Sequence, residues 1–403
     1  MNLFAPRLFR ALAWASSLGI VLWLPGCGGG SGTNATRPPS EPLTAVAALG
    51  QQIFFDATLS ASGQQSCASC HDPAFGHAAP NALAAQPGGV KMEQQGGRSS
   101  PSIRYLSFNT QFSFAADGTP TGGFFWDGRA NSLQAQAGGP FLNPVEMANT
   151  SKAEVVARLA ATSYAEAFRS VFGATIFSDV DTAYARMTLA LARYQQEDSA
   201  FHPFSSKYDA VLRGQARLST QEARGLALFN NPRKGNCAAC HPSTQSADGR
   251  FPLFTDFTYD ALGVPRNAEL TVNADASHYD LGLCARNLGD LTGRTDLCGA
   301  FKVPSLRNVA LRQAYFHNGV FKTLKEALTF YVQRDTSPEK WYPLAADGTV
   351  DKFNDLPAAY RRNVNISEAP YNRKPGQSPA LTDSEIDDVI AFLNTLSDGY
   401  SAP

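Results

Sequence analysis

The sequence predicts a mainly α-helical chain built from two similar domains, and three observations predict it. The run Cys67-Ala68-Ser69-Cys70-His71 returns as Cys237-Ala238-Ala239-Cys240-His241. Each copy follows a helical pattern with the same Gly-x-x-x-aromatic spacing, Gly50/Phe54 in the first and Gly225/Phe229 in the second. The chain ends on a helical stripe of Ile386, Val389, Ile390, Leu393 and Leu396 behind a Thr382–Glu385 capping box. A unit that recurs in this way marks a duplicated architecture.

C-x-x-C-H is the attachment signature of c-type haem. Two thiols three residues apart can bond the two vinyl groups on one porphyrin edge. The adjacent histidine then offers a neutral imidazole nitrogen to the iron. A redox C-x-x-C pair or half a zinc site are the alternatives. Neither needs the adjacent histidine, and zinc would want a second cysteine pair close by. Helix, haem motif and closing helix together read as a cytochrome c-like domain over 43–210 and a second over 211–403, with a boundary near Lys207 to Leu218. A glycine one turn before the aromatic lets another helix cross closely, and the aromatic covers the haem edge.

The N-terminus reads as a targeting segment. Arg7 and Arg10 form a positive n-region, and Ala11 to Leu24 is apolar but too short for a span. Leu24-Pro25-Gly26-Cys27 looks like a lipobox, which makes 1–27 a signal peptide and Cys27 a lipid-anchored residue. Ordinary cleavage nearby is the alternative. Residues 28–42 are rich in Gly, Ser, Thr and Pro, as a flexible tether is. Export to the periplasm also suits haem attachment, which in bacteria takes place outside the cytoplasm. Lys+Arg 34 against Asp+Glu 35 leaves no basic footprint for nucleic acid.

Helical spacing continues at Ala153 to Leu159, through Val155, Val156 and Leu159, and at Thr182 to Gln195, through Ala185, Leu189, Leu191 and Ala192. The helix before the second motif opens on the Ser219–Glu222 capping box, and the one before the first covers Leu43 to Phe55. Residues 335–380, with six prolines, read as a long loop that is either functional or a wrap-around cover. Of seven cysteines, one is the lipid site and four are haem thioethers, leaving Cys284 and Cys298. In an oxidising compartment that pair reads as a disulfide worth about 3 kcal/mol in the chain-entropy model, with two buried free thiols as the alternative.

Two longer motif sets remain. One is Phe125-Trp126-Asp127-Gly128-Arg129-Ala130, followed by Gln134 to Pro140 and Asn143-Pro144-Val145-Glu146-Met147. The other is Phe301-Lys302-Val303-Pro304-Ser305-Leu306-Arg307-Asn308, followed by Tyr315-Phe316-His317-Asn318-Gly319. With both haem motifs, these make residues 43–400 resemble the bacterial di-haem cytochrome c peroxidases and the related MauG-type enzymes. The resemblance implies that the haem on His71 is the peroxidatic one. Glu146 would be its distal acid/base, with Gln136 and Pro140 at the other distal positions. Alone, Glu146 reads equally as a charge at a helix N-terminus. Trp126 would sit between the haems and carry electrons, where a lone tryptophan reads as core.

The haem on His241 would take a second axial ligand fourteen residues after His317. Peroxidases of the family have methionine there; this chain has Tyr331, as MauG-type enzymes do, with a packed helix tyrosine as the alternative. Two departures matter. The peroxidases' capping histidine has no counterpart between Asp72 and Gly97 except His77, which reads as a loop residue and leaves the first haem open. The family's inter-haem Ca2+ uses an asparagine and two carbonyls. Tyr105 stands near the asparagine position, and Arg312 and Ala314 would give the carbonyls, which counts against calcium. His202 and His278 match no motif and read as surface residues.

The resemblance thus implies a periplasmic di-haem peroxidase that reduces hydrogen peroxide with electrons from a small cytochrome or cupredoxin. A MauG-type oxidase acting on a tyrosine or tryptophan of a partner protein is the second reading. A non-catalytic di-haem electron carrier is the third, and the Glu146/Gln136 pair argues against it.

Overall fold

In the computed structural model of the chain, residues 41–402 are described; the expected signal peptide, the lipobox at Cys27 and all but the end of the tether lie outside them. The described chain is mainly helical, with ten α-helices joined by long connections and short 3-10 turns. They are α1 (Ala45–Phe55), α2 (Cys67–Cys70), α3 (Leu133–Leu142), α4 (Lys152–Ala160), α5 (Ala165–Phe172), α6 (Val180–Glu197), α7 (Lys207–Leu212), α8 (Thr220–Asn230), α9 (Leu324–Gln333) and α10 (Asp383–Asn394). The only strands described form three two-stranded antiparallel ladders, 87–88 with 94–95, 113–114 with 120–121 and 259–260 with 301–302.

The two main cores follow the two motif copies. Leu49, Ile53 and Phe54 of α1 pack with Phe141, Val155, Leu159, Phe168, Met187 and Leu191. Phe229 of α8 packs with Phe254, Phe330, Ile386, Val389 and Phe392. In each, a glycine lets two helices touch backbone to backbone. A β-carbon on Gly50 would lie 2.0 Å from the Ala190 carbonyl oxygen of α6, and one on Gly225 would lie 1.9 Å from that of Asp388 on α10. The capping boxes expected at Ser219 and Thr382 are both made, so α8 and α10 start where the sequence places them.

The stretch expected as a boundary contains α7, opened by a Ser206/Asp209 capping box. Tyr208 packs edge-on against Phe392 and Phe254 in the second core. Asp209 makes a two-pronged ion pair with Arg307, at 2.8 and 2.9 Å, both side chains almost wholly buried. Burial alone would raise the Asp209 carboxyl; the Arg307 hydrogen bonds and charge hold it below the usual carboxylate range. Cys284 and Cys298 are joined as a disulfide. Residues 335–380 hold only two short 3-10 turns, at Pro338–Lys340 and Ala358–Asn363. Among the described residues no helix is long and apolar enough to cross a membrane.

The Gly225 contact makes a prediction. Gly225→Ala must push α8 off α10, an overpacking cost of about 1–3 kcal/mol. Gly97→Ala, where an added β-carbon finds nothing nearer than 4.0 Å, is the control. Denaturant unfolding should show a lower midpoint for the first and an unchanged one for the second.

Candidate functional site

Two cavities hold the two C-x-x-C-H motifs. The smaller, about 780 Å³ including its opening to solvent, is lined by Cys67, Cys70, His71, Phe54, Gln136, Pro140, Glu146 and Arg98. The Cys67–Cys70 turn starts at Ser66, whose N–H donates to the Ser69 hydroxyl at 3.0 Å. It closes with the His71 N–H on the Cys67 carbonyl at 2.9 Å. His71 Nδ1 lies 3.0 Å from the Pro101 carbonyl, which as donor it satisfies, leaving Nε2 as the bare nitrogen. Burial takes the imidazole down to about 4, so it is neutral at pH 7, the form a metal ligand needs. Burial also pushes Cys67 up to about 12 and Cys70 to about 11. Those are inert thiols, contrary to a low-pKa redox pair.

Gln136 and Pro140 lie one turn apart on α3, and both reach this cavity. The turn after α3 brings Glu146 back to the same side, because the Met147 N–H donates to the Pro140 carbonyl at 3.2 Å. Gly88 is pressed against this turn; a β-carbon on it would lie 2.3 Å from the Val145 carbonyl oxygen. Burial raises the Glu146 carboxyl above its ordinary value, against the pull of Arg129 and a hydrogen bond with Asn143. His77 lies in a turn, as expected for a loop residue, but it is buried. Its ring packs tilted against Phe201 at 4.2 Å, and its carbonyl stands 3.3 Å from His71 Nδ1, so it backs His71. His202 and His278 are half-buried, and neither lines a cavity described here.

The larger cavity, about 1640 Å³ including its mouth, is lined by Cys237, Cys240, His241 and Tyr331, with Phe229, Trp126, Lys302, Arg312 and Tyr371 around them. His241 Nδ1 lies 2.8 Å from the Phe254 carbonyl, so here too one nitrogen is committed and the other bare. Burial lowers this imidazole and pushes Cys237 and Cys240 up to about 12. Tyr331 comes from α9. Among the described residues its hydroxyl has no hydrogen-bond partner, and burial raises it well above the usual phenol range. Tyr371 stacks on it at 5.9 Å. The long loop supplies Asp355, Leu356 and Glu368 to Tyr371, so 335–380 is in part the wall of this cavity. Paired thiols and a neutral, oriented imidazole in each cavity fit covalently bound haem.

A polar junction links the two cavities. Trp126 Nε1 donates to the Ser99 carbonyl at 2.8 Å, and the Ser99 N–H donates to the His317 carbonyl at 2.7 Å. The Lys302 N–H donates to the Trp126 carbonyl at 2.8 Å, so the ladder at 301–302 fixes the tryptophan backbone. Arg98, which lines the smaller cavity, pairs with Asp127 at 2.7 Å and with Asp280 at 2.6 Å, and Asp280 lines the larger cavity. Neither Arg98 nor Asp280 carries a signal in the sequence. Lys302 lies in the motif that runs from Phe301 to Asn308; burial takes its amine down to about 7, and it donates to the Gly123 carbonyl at 2.6 Å.

The oxygens named for calcium do not fit a dication. The Tyr105 hydroxyl donates to Asp398 at 2.8 Å and accepts from the Phe204 N–H. The Arg312 carbonyl accepts from the Tyr315 hydroxyl at 2.8 Å. The Ala314 carbonyl accepts twice from the Arg312 guanidinium, at 3.1 and 3.2 Å.

Comparison with known proteins places this arrangement. Residues 44–217 match the family model described as di-haem cytochrome c peroxidase. Methylamine utilization protein MauG of Paracoccus denitrificans is 36% identical over 93% of both chains. Cytochrome c551 peroxidase of Nitrosomonas europaea is 33% identical over 74% of this chain and 78% of its own. Among solved structures, the diheme peroxidase BthA of Burkholderia thailandensis superposes with a TM-score of 0.82 at 42% identity, covering 89% of this chain and 87% of that one.

The Arg98 bridge predicts an acid transition. Burial alone would raise Asp280, but Arg98 takes it down to about 2. A folded value below the unfolded one, about 3.9, gives stability that is present above the unfolded value and lost as pH falls through the folded one, about 2 kcal/mol in all. Unfolding measured between about pH 4 and about pH 2 should show this loss in the wild type and not in Asp280→Asn, which starts less stable at neutral pH.

Proposed function

The chain belongs to the di-haem cytochrome c peroxidase family and is an oxidoreductase of that type, and from that premise we propose that it reduces hydrogen peroxide in the smaller cavity with electrons received through the larger one. The observation that carries this reading is the convergence of Glu146, Gln136 and Pro140 on the cavity of Cys67, Cys70 and His71, while Trp126 lines the other. Cys67 and Cys70 would anchor the first haem with His71 as its axial ligand, and Cys237, Cys240 and His241 would do the same for the second, in two cytochrome c-like domains over 43–210 and 211–403. When bound, haem supplies the iron that holds peroxide and exchanges electrons with it.

The protein's part is to move a proton and exclude water. Peroxide loses a proton from one oxygen and needs one on the oxygen that leaves as water. Glu146, its proton affinity raised by burial, takes the first and returns it at the second. Gln136, on the adjacent turn, orients peroxide and the carboxylate. Pro140 offers no N–H and keeps that wall apolar. Trp126, held by Ser99 and Lys302, is the route between the cavities. An electron carrier has no use for a proton-handling pocket. We place the protein in the periplasm, anchored through Cys27, with a small cytochrome or cupredoxin as donor.

Tyr331 supports a second reading, a MauG-type oxidase acting on a tyrosine or tryptophan of a partner protein. A phenol with no hydrogen-bond partner among the described residues, lining the cavity of His241, would serve as that haem's second protein ligand. Phenolate ligation stabilises higher oxidation states than thioether ligation does.

Glu146→Gln should leave both haems attached and lower peroxide kcat/KM by about 10² or more. As pH falls the carboxylate is protonated and lost as a base, and a raised value puts that limb above the ordinary glutamate value of about 4.3. The limb should vanish in Glu146→Gln; unchanged kcat/KM removes Glu146 from the mechanism. Tyr331→Met should turn a His/Tyr spectrum into a His/Met one of higher potential and weaken any oxidation of a protein partner. A wild-type spectrum that already shows a methionine-to-iron band would dispose of the Tyr331 assignment.

A further inference from the structure

Arg312 is the one guanidinium of the junction that stands without a carboxylate. Arg98 has two, and Arg129 shares Asp127. Among the described residues no carboxylate lies within ion-pair distance of Arg312. Its Nε donates to the Ala314 carbonyl at 3.2 Å, and its Nη2 to the same oxygen at 3.1 Å and to the Ser99 hydroxyl at 3.3 Å. Its Nη1 has no hydrogen-bond partner among the described residues, and the side chain lines the larger cavity. A guanidinium held inside a protein without an anion is costly, and it cannot escape the cost by losing its proton.

We propose that Arg312 is the fixed cation of the space between the two cavities, filling the role of the family's calcium ion and pairing through Nη1 with a carboxylate of the haem in the larger cavity. The inference rests on the di-haem reading and adds to it which charge the chain itself supplies. A porphyrin brings two propionates, and they are anions the free N–H groups can reach. A dication on the Ala314 carbonyl would share that oxygen with the guanidinium and be repelled by it. Calcium wants six to eight oxygens, and those the family would use here are already accepting hydrogen bonds. Unlike an ion, the guanidinium cannot dissociate. The same group tethers Ser99, which holds the Trp126 indole, so charge and electron route share one anchor.

The test uses the haem-loaded protein. Elemental analysis of the wild type, purified without chelator and then desalted, should find calcium well below one per chain. Chelator or added CaCl2 should move neither the absorption spectrum nor the melting temperature. One retained calcium per chain, or a spectrum that responds to chelator, overturns the proposal while leaving the di-haem reading intact. Absence of covalent haem from the purified protein overturns both. Arg312→Gln should shift a haem midpoint potential in the negative direction, because a positive charge that favours the reduced state is gone, and Arg312→Lys should restore most of it. Equal potentials in wild type and Arg312→Gln count against the pairing. Should that variant fail to accumulate, the wild-type calcium analysis decides alone.

Discussion

Two helices can meet backbone to backbone only where neither puts a β-carbon in the gap, and this protein meets that condition once in each core. Gly50 lies against Ala190, and Gly225 against Asp388. The close crossing leaves no room for a side chain, so the aromatic one turn later is carried to the rim of the neighbouring cavity. Phe54 reaches the smaller cavity and Phe229 the larger. Each C-x-x-C-H turn then follows directly from a helix whose angle is already set. The cavities are the consequence of these two contacts more than of any group that fills them.

Between the cavities the protein uses charge where it might have used packing. Arg98 spans from Asp127 to Asp280, Lys302 is buried beside Trp126, and Arg312 lies behind Ser99. Buried charge seldom improves on hydrophobic packing for stability. On the proposed reading, its use here would suit a site that holds an indole in one orientation and keeps the local field constant. Charges fixed by hydrogen bonds and ion pairs do both, because they neither reorient nor exchange with solvent.

Much of this was legible in the sequence because the signals are local. The Gly50/Phe54 and Gly225/Phe229 spacings and the Ser219 and Thr382 boxes are read within one or two turns, and the helices form as they require. Gln136 and Pro140 share a helix face by the same arithmetic. What escaped notice depends on partners far along the chain. Arg98 and Asp280 are 182 residues apart, and nothing around either reveals the other. His77 looks like a loop residue because it is one, yet Phe201, brought by α6 and the turn after it, buries its ring. The Arg312 backbone could be placed by counting from a motif, but its side chain curling back on the Ala314 carbonyl could not.

The larger cavity takes part of its wall from residues 355–371, which are made well after the thiols they enclose. A chain leaving the ribosome or crossing a membrane N-terminus first therefore presents Cys237 and Cys240 before their cover exists. With the cover on, both cysteines are half-buried and their thiols are pushed up to about 12, far from the reactive thiolate. On the proposed di-haem reading, Cys237 and Cys240 would meet a haem most easily before Tyr371 docks beside them. The order of residues along the chain would then double as a schedule for maturation.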